Sequence, residues 1–242
     1  MKRTERRHLK ENELQTFARQ AREHFDARRS EMTLIVVGIA VLAVALIGYF
    51  TWHQHVQGRA HALLAEALIV QTARVGPPAA PGTAAAGSLT YPTERERAQA
   101  AITKFKTAAD SYPSTDAGIF ARYQEAATSM TLADPGHAIA AYQQVIDRTG
   151  DGIYGQMARL GLAEAQALDG KYDQAIQAFK ELAQRKDGPL PVDGILMQLG
   201  RAYLNAGKRA DAQQTFTRLV EEYPESPFTG DARKELETLK KT

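Results

Sequence analysis

Apolar and polar positions divide the chain into three regimes. From Met32 to Trp52 the run MTLIVVGIAVLAVALIGYFTW holds no charge between Glu31 and His53. At 1.5 Å per residue that run makes a helix of about 31 Å, which spans a hydrocarbon core of about 30 Å once. Before it, Leu14, Phe17, Ala18, Ala21 and Phe25 recur at helical spacing among charges, predicting a basic amphipathic helix from about Glu5 to Arg29, within a segment 1–31. After it, Ala62, Leu63, Leu64, Ala67, Leu68 and Ile69 predict a post-membrane helix within 53–75. Residues 76–92, GPPAAPGTAAAGSLTYP, carry four prolines and three glycines and read as a linker.

From residue 93 to 242 the pattern changes again. Phe105, Tyr142, Phe179 and Phe216 recur at a strict 37-residue interval, each four places after an alanine: Ala101, Ala138, Ala175 and Ala212. Aromatics make up only 7% of the chain, so the recurrence marks a stacked helical repeat array. Thr229 to Lys240, where Ala232, Leu236 and Leu239 alternate with charges, predicts a capping helix. The fold class is all-α: one membrane-spanning helix followed by a solenoid of about three to four helical hairpins.

Within the clearest unit, Asp193 to Ser226, Leu199-Gly200 is followed by Tyr203, Ala212, Phe216 and Pro224, and this pattern resembles the tetratricopeptide repeat. Gly200 and Ala212 lack bulk where two helices meet, while Tyr203 and Phe216 fill space toward the neighbouring unit. Gly207 is expected to end the first helix of the hairpin, and Pro224 the second. The earlier units are degenerate. One keeps Leu162, Ala163, Gly170, Ala175, Phe179 and Leu182 but has Arg159 and Gln166 at large-aromatic and tyrosine positions. Another keeps Ala126, Ala138, Tyr142 and Val145 but has Glu125 and Ser129 for leucine and tyrosine. A half-unit at Glu94 to Pro113 lacks its first helix, and the post-membrane helix is the candidate to fill that vacancy.

Charge sets the expected topology. Residues 1–31 carry nine Lys/Arg against six Asp/Glu, whereas only Arg59 and Arg74 lie between His53 and Pro92, so the N-terminus is expected in the cytoplasm and the repeats outside. A 31-residue leader and the missing A-x-A site argue for a retained anchor rather than a cleaved signal. Arg28-Arg29 has a poor continuation for a twin-arginine signal. Small residues such as Gly38, Ala43 and Gly48 allow either a monomeric anchor or a helix dimer, and no G-x-x-x-G occurs. The N-terminal helix has two readings: one docked on lipid or a partner, and one solvated and merely fixing topology.

Residues 94–242 carry nineteen Lys/Arg against twenty-one Asp/Glu, which leaves no basic face for nucleic acid. With no cysteine, disulfides, zinc-thiolate sites and thiol catalysis are excluded. Gly150, Gly152 and Gly155 match G-x-G-x-x-G but follow no strand, so they read as a joint between helices. His53, His55 and His61 read as interfacial residues rather than metal ligands. No G-x-S-x-G, P-loop or H-E-x-x-H occurs, and no catalytic, cofactor or metal residue is assigned.

The whole layout resembles the YfgM-type ancillary subunits of the bacterial SecYEG translocon. That resemblance implies an inner-membrane protein whose periplasmic repeat domain associates with the translocon and periplasmic chaperones, acting as a non-enzymatic adaptor or chaperone-like scaffold. The alternatives are a structural coordinator of envelope assembly or division, and a regulator acting through the N-terminal helix. The repeat resemblance also implies a concave surface formed by Phe120, Tyr123, Met130, Met157, Leu160, Leu168, Met197 and Leu204, with Glu164, Arg201 and Asn205 as its polar members. Such a surface would hold proteins or extended peptides. The competing reading packs several of these residues against the post-membrane helix or between repeats. The Lys/Asn pattern of the two-carboxylate clamp is absent.

Overall fold

A computed structural model describes residues 29–77, 89–185 and 188–241, with side chains from Thr33 onward. The N-terminal amphipathic helix and most of the linker lie outside the described residues. The chain divides between His55 and Val56 into two units. Helix α1 runs from Arg29 to Gln71. From Thr33 it is long and apolar enough to cross a membrane. Leu34, Val36, Val41 and Val44 are exposed, and Tyr49 packs its ring against Phe50, Trp52 and His53.

In the second unit, from Val56 on, the end of α1 serves as the first helix of a hairpin. Ala67 and Val70 are buried with Ala101, Phe105, Ala108 and Ala109 of α2 (Glu94–Ser111), and Leu63, Leu64 and Leu68 pack against the same cluster. Lys104 adds an ion pair to Glu66 at 3.1 Å. The vacancy seen in sequence is therefore filled by the end of α1. Helix α1 stops at Gln71, earlier than the expected 75, because residues 74 and 75 leave it to form a strand. That strand, β1 (Arg74–Val75), pairs in parallel with β2 (Thr90–Tyr91), and Gly76 N–H donates to Tyr91 C=O at 2.9 Å, bringing residues 74–76 beside 90–91.

Three further hairpins follow: α3 (Asp116–Thr131) with α4 (Pro135–Thr149), α5 (Ile153–Leu168) with α6 (Tyr172–Gln184), and α7 (Val192–Asn205) with α8 (Arg209–Glu222). Helix α9 (Thr229–Lys241) covers α8, with Ala232 buried on it. All four periodic aromatics and their alanine partners are buried, and none exceeds 4% exposure. Each second helix therefore presents one alanine and one ring to the core, i to i+4 on a single face.

The first helices end in a shared way. Gly170 and Gly207 adopt φ of 77° and 74°, the left-handed residue that releases a helix. Ala133 stands 37 residues before Gly170 and holds φ 55° without glycine's freedom. An L-residue there costs about 1–2 kcal/mol, partly offset by the greater entropy glycine loses on folding. Ala133→Gly is thus expected to stabilise the second hairpin by about 0.5–1 kcal/mol, whereas Gly207→Ala should destabilise by a similar amount; a lower melting temperature for Ala133→Gly would contradict this.

The three residues by which 37 exceeds the common 34 do not all fall in the connections: between α4 and α5 only residues 150–152 intervene, and the longer helices carry the extra length there. Gly150, at φ 54°, ends α4, and Gly152 precedes α5. A Cβ on Gly155 would stand 2.1 Å from the Gly150 carbonyl oxygen. The G-x-G-x-x-G match is accounted for by this tight joint.

Candidate functional site

Helices α3, α5 and α7 lie side by side, with α3 touching α5 and α5 touching α7. The 37-residue repeat puts Ala127, Glu164 and Arg201 in one register, Met130, Ala167 and Leu204 in a second, and Thr131, Leu168 and Asn205 in a third. Between α5 and α7 a groove of about 490 Å³ opens, and its lining includes Met130, Glu164, Leu168, Arg201 and Asn205. These five come from the surface expected in sequence.

The other expected residues are placed elsewhere. Phe120 rests against Tyr154 with ring centroids 6.0 Å apart, and Tyr123 meets Tyr142 edge-on at 5.6 Å. Both are half-buried, as is Met157. Tyr123 and Met130 pack on the core of the α3–α5 region, Leu160 and Leu204 on that of α5–α9. Met197 is a correction: at 1% exposure it belongs to the α5–α9 core and offers nothing to a partner. The post-membrane part of α1 is occupied with α2, so packing between repeats, rather than cover by α1, takes up the residues withdrawn from the surface.

Glu164 sets the electrostatics of the groove. Burial, the dominant cause, pushes its carboxyl up, and a 3.4 Å hydrogen bond from the Gln198 amide acts weakly in the opposite sense. Burial pushes up the Tyr123 and Tyr142 phenols, with the Glu164 carboxylate adding to it at Tyr123 and, after the Tyr123 phenol, at Tyr142. A carboxyl that ionises less readily in the folded chain destabilises it at neutral pH, and the penalty disappears as pH falls through the raised value. Glu164→Gln is accordingly expected to raise stability by about 0.5 kcal/mol at pH 7 and by progressively less toward acid pH. Parallel pH-dependent melting of the two chains checks this; a difference that grows on acidification would refute it.

Gln198, Ala167 and Tyr172 also line the groove and escaped the sequence reading. Gln198 sits one helical turn before Arg201 on the same face, so i,i+3 spacing was the available signal. Tyr172, the first residue of α6, has Pro135 and Arg209 as its repeat equivalents, so periodicity gave none.

The family model described as tetratricopeptide repeat-like domain matches residues 29–227. The chain belongs to that family. Among solved structures, the tetratricopeptide-like repeats of a putative kinesin light chain from Podosopora anserina superpose with TM-score 0.57 at 13% identity, covering 76% of this chain and 85% of that one. A second structure of those repeats gives 0.56, also at 13% identity, with 76% and 86% covered. YrrB, described as a repeat protein with an unusual peptide-binding site, gives 0.48 at 17% identity over 58% of this chain and 68% of that one. No curated protein matches in sequence. The family match and the two superpositions above 0.5 establish the tetratricopeptide-like fold, and the family is one of scaffolds for protein interaction. Nothing in them points to catalysis.

Proposed function

We propose that this tetratricopeptide repeat-like chain is a membrane-anchored, non-enzymatic scaffold that holds exported proteins, or the chaperones that escort them, beside a translocon. The groove between α5 and α7 carries the reading: five side chains predicted for a partner surface line one open depression, with a sheltered carboxylate among apolar walls. Support for the location comes from the apolar length of α1 and from the excess of Lys and Arg before it. On this reading the N-terminus lies in the cytoplasm of a bacterial cell, α1 crosses the inner membrane once, and the repeats work in the periplasm.

Photo-crosslinkers at Leu168 and Asn205, with Gln213 on α8 as control, test the partner class in native membranes. Translocon subunits, periplasmic chaperones or nascent exported chains should be captured from the first two sites and not from the third. Capture of cell-wall synthesis or division proteins alone would replace the export role with envelope coordination. Reporters fused after Thr242 test orientation, for which periplasmic activity is expected.

A further inference from the structure

The same register changes character along the array, from Ala127 on α3 to Glu164 on α5 and Arg201 on α7. Glu164 shares the groove with Met130, Leu168 and Tyr172. An ionised carboxylate offers about four lone-pair sites, and among the described residues this one receives one long hydrogen bond, from Gln198 at 3.4 Å. Among the described residues it enters no ion pair, although Arg201 stands in the same register one repeat on. Arg201 is solvent-exposed, where water and salt weaken its field; Glu164 is sheltered and keeps more of its own.

An underused anion between apolar walls is complementary to a cation carried on an apolar stem, and lysine and arginine have that form. Amides of Gln198 and Asn205 in the same groove provide donors and acceptors for the backbone of an extended strand. We propose that the groove selects an extended protein segment in which a basic residue is flanked by apolar ones, the cation seating on the Glu164 carboxylate and the apolar neighbours on Met130, Leu168 and Tyr172. The inference rests on the groove being the partner surface.

Three labelled peptides, acetylated and amidated and identical except at a centre flanked by leucines, test it against the full chain in nonionic detergent. The centre is lysine, norleucine or glutamate, and binding is read by fluorescence anisotropy. A charge-assisted contact predicts at least about tenfold tighter binding for lysine than for norleucine. Glu164→Gln should erase that preference, and Arg201→Gln should preserve it. Melting of each variant shows that the fold is retained. Equal binding of the three peptides, no binding of the lysine peptide, or an unchanged preference in Glu164→Gln would overturn the proposal. So would tighter binding of the glutamate peptide that depends on Arg201, or self-association of the chain that Glu164→Gln abolishes, since a second copy would then occupy the groove. If crosslinking at Leu168 and Asn205 succeeds while lysine selection is absent, the partner surface stands and only this selection fails; if crosslinking also fails, the surface falls with it.

Discussion

Arg122→Met should lower the unfolding free energy by about 3–5 kcal/mol, the range for stripping one partner from a buried ion pair. Glu125 is 1% exposed and Arg122 11%. Arg122 Nη1 donates to Glu125 Oε2 at 2.5 Å, and its other terminal nitrogen bonds to Asp110 on α2. His137 Nε2, at the start of α4, meets the second Glu125 oxygen at 2.7 Å. Glu125 thus joins α3 to α4 through His137, while Arg122, which it holds, joins α3 to α2 through Asp110. Without the guanidinium, Glu125 keeps only His137 and remains out of water.

The converse change should be mild. Glu125 stands where the next two repeats hold Leu162 and Leu199, so Glu125→Leu meets a site the architecture already fills with leucine, and Arg122 retains Asp110. Glu125→Leu is expected to remain within about 1.5 kcal/mol of the parent, and Arg122→Met/Glu125→Leu to recover most of the single-variant loss. Chemical denaturation of the full chain in detergent measures the cycle, and a Glu125→Leu loss as large as that of Arg122→Met would refute it. The network also adds an acid dependence. Lys106, and after it Arg122, hold the Asp110 carboxyl below its usual value against the opposing effect of burial. A depressed carboxyl contributes stability above its unfolded value and loses it as pH falls through the folded one. Asp110 is half exposed, so this contribution is the more salt-sensitive part.

Legibility in the sequence followed the physics of each position. Second helices were clear because each must bury one alanine and one ring on a single face, and substitution there leaves a void or a clash. Ala101 with Phe105 and Ala212 with Phe216 mark the two ends of that series. First helices were obscured because their consensus contacts are replaced by equivalents of different chemistry. Glu125 becomes an ion-paired bridge, and Arg159 turns outward to donate to the Gly150 carbonyl at 2.8 Å and pair with Asp151 at 3.0 Å. The first hairpin was recognisable only in part, because its two helices are separated in sequence by residues 72–93. Within the groove, periodicity supplied the register but not the depth. Tyr123, Leu160 and Met197 share a register, yet Met197 alone is fully covered. Depth depends on which neighbouring helices close over a position, information that a repeat period does not carry.

Phe216→Ala should cost about 3–5 kcal/mol, as for other fully buried phenylalanines. Phe216 is 0% exposed and joins residues of α5–α9 in one cluster, so its loss opens a void between the third and fourth hairpins and the cap. Its position depends on Gly200. A Cβ at residue 200 would lie 2.3–2.7 Å from three atoms of the Phe216 ring. Ala126 and Ala163 occupy the equivalent positions in earlier repeats and are fully buried there, so alanine at this register is compatible with the hairpin. At residue 200 the ring sits too close to allow it. Gly200→Ala should therefore destabilise by about 1–3 kcal/mol through overpacking, despite alanine's better helix propensity. If the penalty arises from that contact, shrinking the ring relieves it: Gly200→Ala/Phe216→Leu should be more stable than the sum of the single changes predicts, by at least about 0.5 kcal/mol. Strict additivity in the cycle would place the penalty in the α7 backbone instead. A coupling of the expected sign would identify the close approach of α7 and α8 as the reason this hairpin alone carries the glycine.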